Sequence, residues 1–151
     1  MKISASKINT LLLFKLPAAY ITGVRTTYLD SDKCSASVKF RWINQNPFKS
    51  MFWAVQGMAA ELTTGALVIS KIKESGHPIS MLLAKSSGTF LKKVTGRVTF
   101  NCDQGQLVSE AIEKSIETGE GQIIEMTSIG KDSDGIEVSN FTFEWTIKVR
   151  N

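Results

Sequence analysis

The stretch NPFKSMFWAVQGMAAELTTG, residues 46–65, decides how the rest of the chain is read. Between Ser50 and Leu62 its only strongly polar side chains are Gln56 and Glu61. The apolar residues are too many to alternate and the run is too long for a strand, which predicts a helix from Ser50 to about Lys73. Lys71 and Lys73 suit the negative end of its dipole, Gly76 can take a left-handed cap, and Pro78 cannot continue it. A surface helix keeps a polar face, but Met51 to Ala60 is apolar in almost every direction apart from Gln56, so this helix is covered nearly all round. A flat sheet covers one side only. Either the sheet curls around the helix or a second subunit covers what remains.

Outward from the helix the text is that of antiparallel strands. Upstream, VRTTYL (24–29) and KCSASVKFRWI (33–43) flank an Asp30-Ser31-Asp32 turn and form a hairpin. In the second segment Cys34, Ala36, Val38, Phe40 and Trp42 alternate inward against Lys33, Ser35, Ser37, Lys39 and Arg41. Downstream come ISMLLAKSSGTFL (79–91) and KVTGRVTFNC (93–102), then an amphipathic helix from about Gln104 to Thr118. The closing pair, QIIEMTSIG and IEVSNFTFEWTIKV, flanks the turn KDSDG. With a short helix at the start, the order is that of one α+β antiparallel domain over residues 1–151.

Composition sets the class. The chain has 151 residues, 42% hydrophobic and 21% charged, with three prolines and no linker-like tract. The opening MKISASKINTLLLFKLPAAY has an apolar centre of only Leu11 to Phe14, too short for a secretory signal, and no run is long enough to span a membrane. A cytoplasmic protein is expected. Two distant cysteines and one histidine support neither a disulfide framework nor a metal site, and Cys34 and Cys102 read as reduced, half-buried strand residues. A net charge of +4 favours anionic ligands without the concentrated basic face of a nucleic-acid binder.

Glu61 has Gly57 four residues before it and Gly65 four after, with Met58 and Thr64 three away on either side. Two helical glycines, each costing about 1 kcal/mol relative to alanine, ask for a reason. One is close packing against a strand or helix; the other is a cavity in which Glu61 acts on a ligand. A carboxylate in apolar surroundings has its pKa raised toward the range of a general base, or attacks a carbonyl itself.

These residues carry a resemblance. A hairpin, an Asn-containing loop and a long buried helix with an acid along it, followed by antiparallel strands, resemble the hotdog fold, in which a curled sheet of about six strands wraps one helix. More narrowly the chain resembles acyl-CoA thioesterases of the phenylacetic-acid-pathway (PaaI-like) type, and most closely an uncharacterised thioesterase-like family of unknown function related to them. In those thioesterases an Asn lies six residues before a His-Gly-Gly and an acid nine residues after that His. Asn46 and Glu61 keep the full interval, whereas Phe52, Trp53 and Ala54 stand at the His-Gly-Gly positions and Ser50-Met51-Phe52 matches the uncharacterised branch.

The resemblance implies a thioesterase acting as a homodimer or dimer of dimers, its site shared between subunits, on an acyl-CoA or acyl-carrier-protein thioester and with no further cofactor. It implies Glu61 as base or nucleophile, Asn46 as the residue positioning water or thioester, and Ser80 as a polar group near the substrate. Backbone N–H groups at the helix start can still polarise a carbonyl whatever their side chains. Phe52, Trp53, Gln56, Gly57, Met58 and Gly65 are candidates to line the acyl site, and Lys92, Lys93 and Arg97 to meet phosphates. A binding protein of the same fold, holding an acyl-CoA or fatty acid without turnover, is the alternative. A hydratase pairs a His with the acid, but His77 lies sixteen residues beyond Glu61, roughly 24 Å along a helix.

Overall fold

A computed structural model describes residues 2–151. The chain opens with helix α1 (Ala5–Lys15), whose cap Ser4 accepts a hydrogen bond from the Lys7 N–H, and a short helix α2 (Pro17–Ile21). One helix was expected here. Pro17 can begin a helix but not continue one, so the chain bends at Leu16. Strands β1 (Arg25–Leu29) and β2 (Cys34–Lys39) follow, their turn held by Asp30 Oδ1, which accepts from the N–H groups of Asp32 and Lys33. Next come the central helix α3 (Trp53–Ser75), strands β3 (Ile79–Phe90) and β4 (Arg97–Cys102), helix α4 (Gly105–Thr118), and strands β5 (Gln122–Lys131) and β6 (Glu137–Val149).

The strands form one antiparallel sheet of six, ordered β1-β2-β4-β5-β6-β3. It curls around α3, which packs on every strand of it, while α4 and α2 cover other sides of the same helix. This is the hotdog arrangement, and it answers how so apolar a helix is buried. Gly76 caps α3 in the left-handed conformation at φ 69°, and Gly135 takes φ 78° in the β5–β6 turn.

The helical glycines lie along the seam between α3 and β6. Phe141, Phe143 and Trp145 project inward from alternate positions of β6 and are all buried. Gly57 faces the Phe141 ring and Gly65 faces the Trp145 ring. Eight helical residues rise about 12 Å and four strand residues about 13 Å, so the two glycines match the two aromatics in step. Elsewhere, Gly88 pairs with Phe141 and Gly130 with Phe100 on neighbouring strands, each ring lying over its partner glycine.

Four local expectations are corrected. Trp42 does not face the core but is 82% exposed, because β2 stops at Lys39. The buried Asn44 ends that strand: its Nδ2 donates to Lys39 O and Thr22 O, its Oδ1 accepts from Arg41 N–H, and Trp42–Asn44 becomes a 3₁₀ turn. Ser35 and Ser37, expected to face water, are buried, Ser35 donating to Asn101 Oδ1 and Ser37 accepting from Arg97. Cys34 and Cys102 are fully buried and directly opposed across β2 and β4; burial pushes their thiols up to about 12 and about 11. Helix α3 begins at Trp53, since Met51 bridges to Gln45 and donates its N–H to Val94 O.

The two sheet edges differ. The β1 edge is plugged by Asn9 of α1, whose amide donates to Thr26 O and accepts from Thr26 N–H as a strand would. The β3 edge, twelve residues long, carries no such cover among the described residues. No helix of the described residues is long and apolar enough to cross a membrane.

Candidate active site

Glu61 sits in the first half of α3 with its carboxylate turned toward the C-terminal end of the helix: Oε1 lies 3.4 Å from where a Cβ on Gly65 would be, and Trp145 ring atoms come equally close to that point. The carboxylate has no hydrogen-bond or ion-pair partner among the described residues, and burial alone pushes its pKa above the ordinary carboxylate value. It opens on a cavity of about 220 Å³ walled by Leu12, Leu16, Pro17, Ala19, Met58 and Leu62. Below it, Trp145 Nε1 donates to Thr64 Oγ1 (3.0 Å), which donates to Glu61 O (2.9 Å) and fixes the ring that backs the acid.

Asn46 lies elsewhere, in a loop before α3. Its Oδ1 accepts from the N–H groups of Phe48 (2.9 Å) and Ser50 (3.2 Å), and its Nδ2 donates to Ser50 Oγ (3.0 Å) and Met51 O (3.4 Å). The amide is thus taken up in folding residues 46–50, where Lys49 accepts a left-handed φ of 58°. Asn46, Trp53, Gln56, Lys92 and Lys93 line a second cavity, of about 400 Å³, together with Phe48 and Phe90. Within that wall the Gln56 amide is committed inward, its Oε1 accepting from Ser139 Oγ at 2.8 Å.

Helix α3 starts without a side-chain cap. The N–H groups of Trp53 and Ala54 have no partner among the described residues, the usual state of a helix's first turn, and they face anions or carbonyl oxygens favourably. Phe52 and Trp53 flank them, 43% and 59% exposed and packed edge to face with centroids 5.8 Å apart.

The chain does not bring every candidate together. Trp53 and Glu61 are eight residues, about 12 Å, apart along the helix, and the carboxylate points away from the helix start, so one chain cannot present both to one carbonyl. Ser80 pairs with Lys148 and donates to Lys148 O. It lies three residues, roughly 10 Å, along β3 from Leu83, the partner of Trp145, and outside the Glu61 cavity. Gly57 and Gly65 face aromatic rings, and Met58 alone of the outer candidates shares the Glu61 cavity.

Among the cations, Lys92 is held by Asp132 at 2.8 Å, a hydrogen bond that raises the lysine's pKa and lowers the carboxylate's. Lys93 lies 5.9 Å over the Phe48 ring, and Arg97 Nη1 donates to Ser37 Oγ (3.1 Å). All three border one small cleft. Among the described residues no group of three or more His, Cys, Asp or Glu side chains is placed to hold a metal ion. The wall that α1 and α2 build over Glu61 has no counterpart in the sequence reading, because residues 12, 16 and 19 reach the acid only through the bend at Pro17.

A family model described as a domain of unknown function, DUF4442, matches residues 5–147. The chain belongs to the DUF4442 family. No curated protein matches it. Among solved structures, the DUF4442 chain is similar to PA5026 of Pseudomonas aeruginosa, a protein of unknown function described as a probable thioesterase, with a TM-score of 0.87 at 15% identity over 99% of both chains. It is similar to thioesterase HI1161 of Haemophilus influenzae, with a TM-score of 0.77 at 13% identity over 99% of this chain and 93% of that one. A variant of thioesterase PA1618 of Pseudomonas aeruginosa gives 0.78 at 12% over 99% and 97%. At such identities the likeness is one of fold: this DUF4442 chain is built on the same hotdog frame as these structures.

Proposed function

We propose that this DUF4442 chain hydrolyses acyl thioesters, of CoA or of an acyl carrier protein, as a homodimer in which Glu61 of one subunit acts on a carbonyl held at the α3 start of the other. The observation that carries the reading is Glu61 itself, an unpartnered carboxylate with a raised pKa on the wall of an apolar cavity. Such a group is costly to keep without a role. The separation of Glu61 from the free N–H groups of Trp53 and Ala54 supports two subunits building one site.

In this mechanism the carbonyl oxygen accepts from those N–H groups, which stabilise the negative charge that develops on it. Glu61 takes a proton from water as the oxygen attacks the carbonyl carbon; collapse of the tetrahedral intermediate breaks the C–S bond and releases the thiol and the acid. Alternatively the carboxylate attacks the carbonyl carbon directly, the C–S bond breaks and the thiolate leaves with a proton from water, and water then opens the resulting anhydride to regenerate Glu61 and release the acid. The thioester is already activated, so the reaction asks for no cofactor. Asn46 serves by shaping the loop that leads into α3, and Lys93 and Arg97 offer charge to a phosphate, Lys92 being paired.

Free-thiol release from a panel of acyl-CoA thioesters tests this. Wild-type protein turns over at least one of them and Glu61→Ala loses turnover while keeping its fold; hydrolysis unchanged in Glu61→Ala removes the acid from the mechanism. A second reading, acyl binding without turnover, is favoured by the saturated amide of Asn46 and by Phe52 and Trp53 at the helix start. Tight acyl-CoA binding with no thiol released over hours selects it.

A further inference from the structure

The geometry points to the α1–α2 bend as the seat of the acyl group, sized for a medium-length chain of about eight carbons; this rests on the thioester reading above and gives it a substrate class. The cavity beside Glu61 is bordered on one side by α3, through Met58 and Leu62, and on the other by Leu12, Leu16, Ala18 and Ala19. Its surface is predominantly apolar, and the charged residues on it are Glu61 and Lys15, which make no ion pair with each other. An apolar wall with one acid at its mouth suits an alkyl chain whose carbonyl end stays beside the carboxylate.

The seat is rigid. Leu16 N–H donates to Leu12 O and Ala19 N–H to Leu16 O, both across the bend. Val24 N–H donates to Ala19 O (3.0 Å), Arg25 Nη1 donates to Tyr20 O (2.8 Å) with its guanidinium 3.5 Å over the Tyr20 ring, and Asn9 binds Thr26. Leu12 and Ala19 are buried in the core, so the floor cannot recede. The outer side is open at the exposed residues Lys15, Leu16, Pro17 and Ala18, so volume sets the length of chain that the seat can cover. An apolar cavity of about 150 Å³ takes a six-carbon ring, and in proportion about 220 Å³ takes eight or nine carbons.

Ala18 lines this cavity yet is exposed, so a larger side chain there enters the seat without crowding the core. The test compares wild type, Ala18→Phe and Leu16→Ala on acetyl-, butyryl-, hexanoyl-, octanoyl-, decanoyl- and palmitoyl-CoA. Expected is a wild-type kcat/KM that peaks near octanoyl. Ala18→Phe lowers octanoyl turnover by about tenfold or more relative to acetyl turnover, since filled pocket space discriminates at the methylene scale. Leu16→Ala, which opens the seat, moves the optimum to longer chains. A length profile that neither substitution moves overturns the inference.

If wild type cleaves none of the thioesters, the hydrolase reading falls by itself and the seat is judged by calorimetric binding of the uncleavable thioethers S-octyl-CoA and S-methyl-CoA. Tighter binding of the octyl compound in wild type, lost in Ala18→Phe, upholds the seat. Equal affinity for the two thioethers, or an octyl preference that survives Ala18→Phe, overturns it.

Discussion

Glu61 is held between two environments, the Trp145 ring that strips water from one side and the apolar cavity that leaves the other side open. Its raised pKa has a definite sign for stability. The folded state binds the Glu61 proton more tightly than the unfolded chain does, so this group costs stability as pH rises above the unfolded value of about 4.3, and the cost is complete once pH passes the folded pKa. Glu61→Gln should therefore raise the melting temperature at neutral pH, with the difference vanishing below about pH 4. In the active protein the acid limb of the pH–rate profile should have its inflection above the ordinary carboxylate range. A variant melting below wild type at neutral pH would mean that the carboxylate has a stabilising partner. The acid was legible in sequence as a lone charge in an apolar run. The role of Asn46 was not, since only the folded loop reveals that its amide is occupied by Phe48, Ser50 and Met51.

At the scale of elements, alternation and breakers were enough to place β6, α4 and the end of α3, because each rests on a local signal: Phe141 to Ile147 at every second position, the stripe from Leu107 to Ile116, and Gly76 before Pro78. The signals failed where a distant group overrides local text. Asn44 ends β2 by reaching Thr22, and the Val94 carbonyl draws Met51 out of the helix. The glycines show the same limit, for sequence could say that Gly57 and Gly65 share a face with Glu61 but not that they lie against Phe141 and Trp145. Their tolerances differ from those of the sheet glycines. A methyl on Gly57 would meet Phe141 at an ordinary 3.5 Å, so Gly57→Ala should gain up to about 1 kcal/mol of helix propensity. A methyl on Gly130 would lie 2.5 Å from the Phe100 ring in the core, so Gly130→Ala should cost about 1–3 kcal/mol. Urea melts of the two variants read both signs; a stable Gly130→Ala would mean that the Phe100 ring has somewhere to move.

For the whole molecule the asymmetry of the sheet edges is decisive. A long exposed edge without proline invites another strand, and natural proteins blunt such edges with charge or cover them. Here β1 is covered by Asn9, whereas β3 carries a single charged side chain, Lys85, and presents Leu82 at 66% exposure. Pairing β3 with its copy about a twofold axis would run the two sheets together and set the two α3 helices antiparallel. Each Glu61 would then come alongside the uncapped helix start of the other subunit, which a single chain cannot achieve over about 12 Å. Leu82→Lys places a hydrated charge at that junction and leaves the core untouched. It should weaken self-association about tenfold or more, a loss of about 1.4 kcal/mol, while the circular dichroism of the fold stays unchanged. If the site is built from both subunits as proposed, thioesterase activity of the variant should fall with dilution and return at higher protein concentration, in step with the dimer seen by analytical ultracentrifugation. Wild-type protein that is monomeric and fully active would instead require Glu61 and its oxyanion donors to come from one chain, and the search for those donors would move from Trp53 and Ala54 to groups near Gly65.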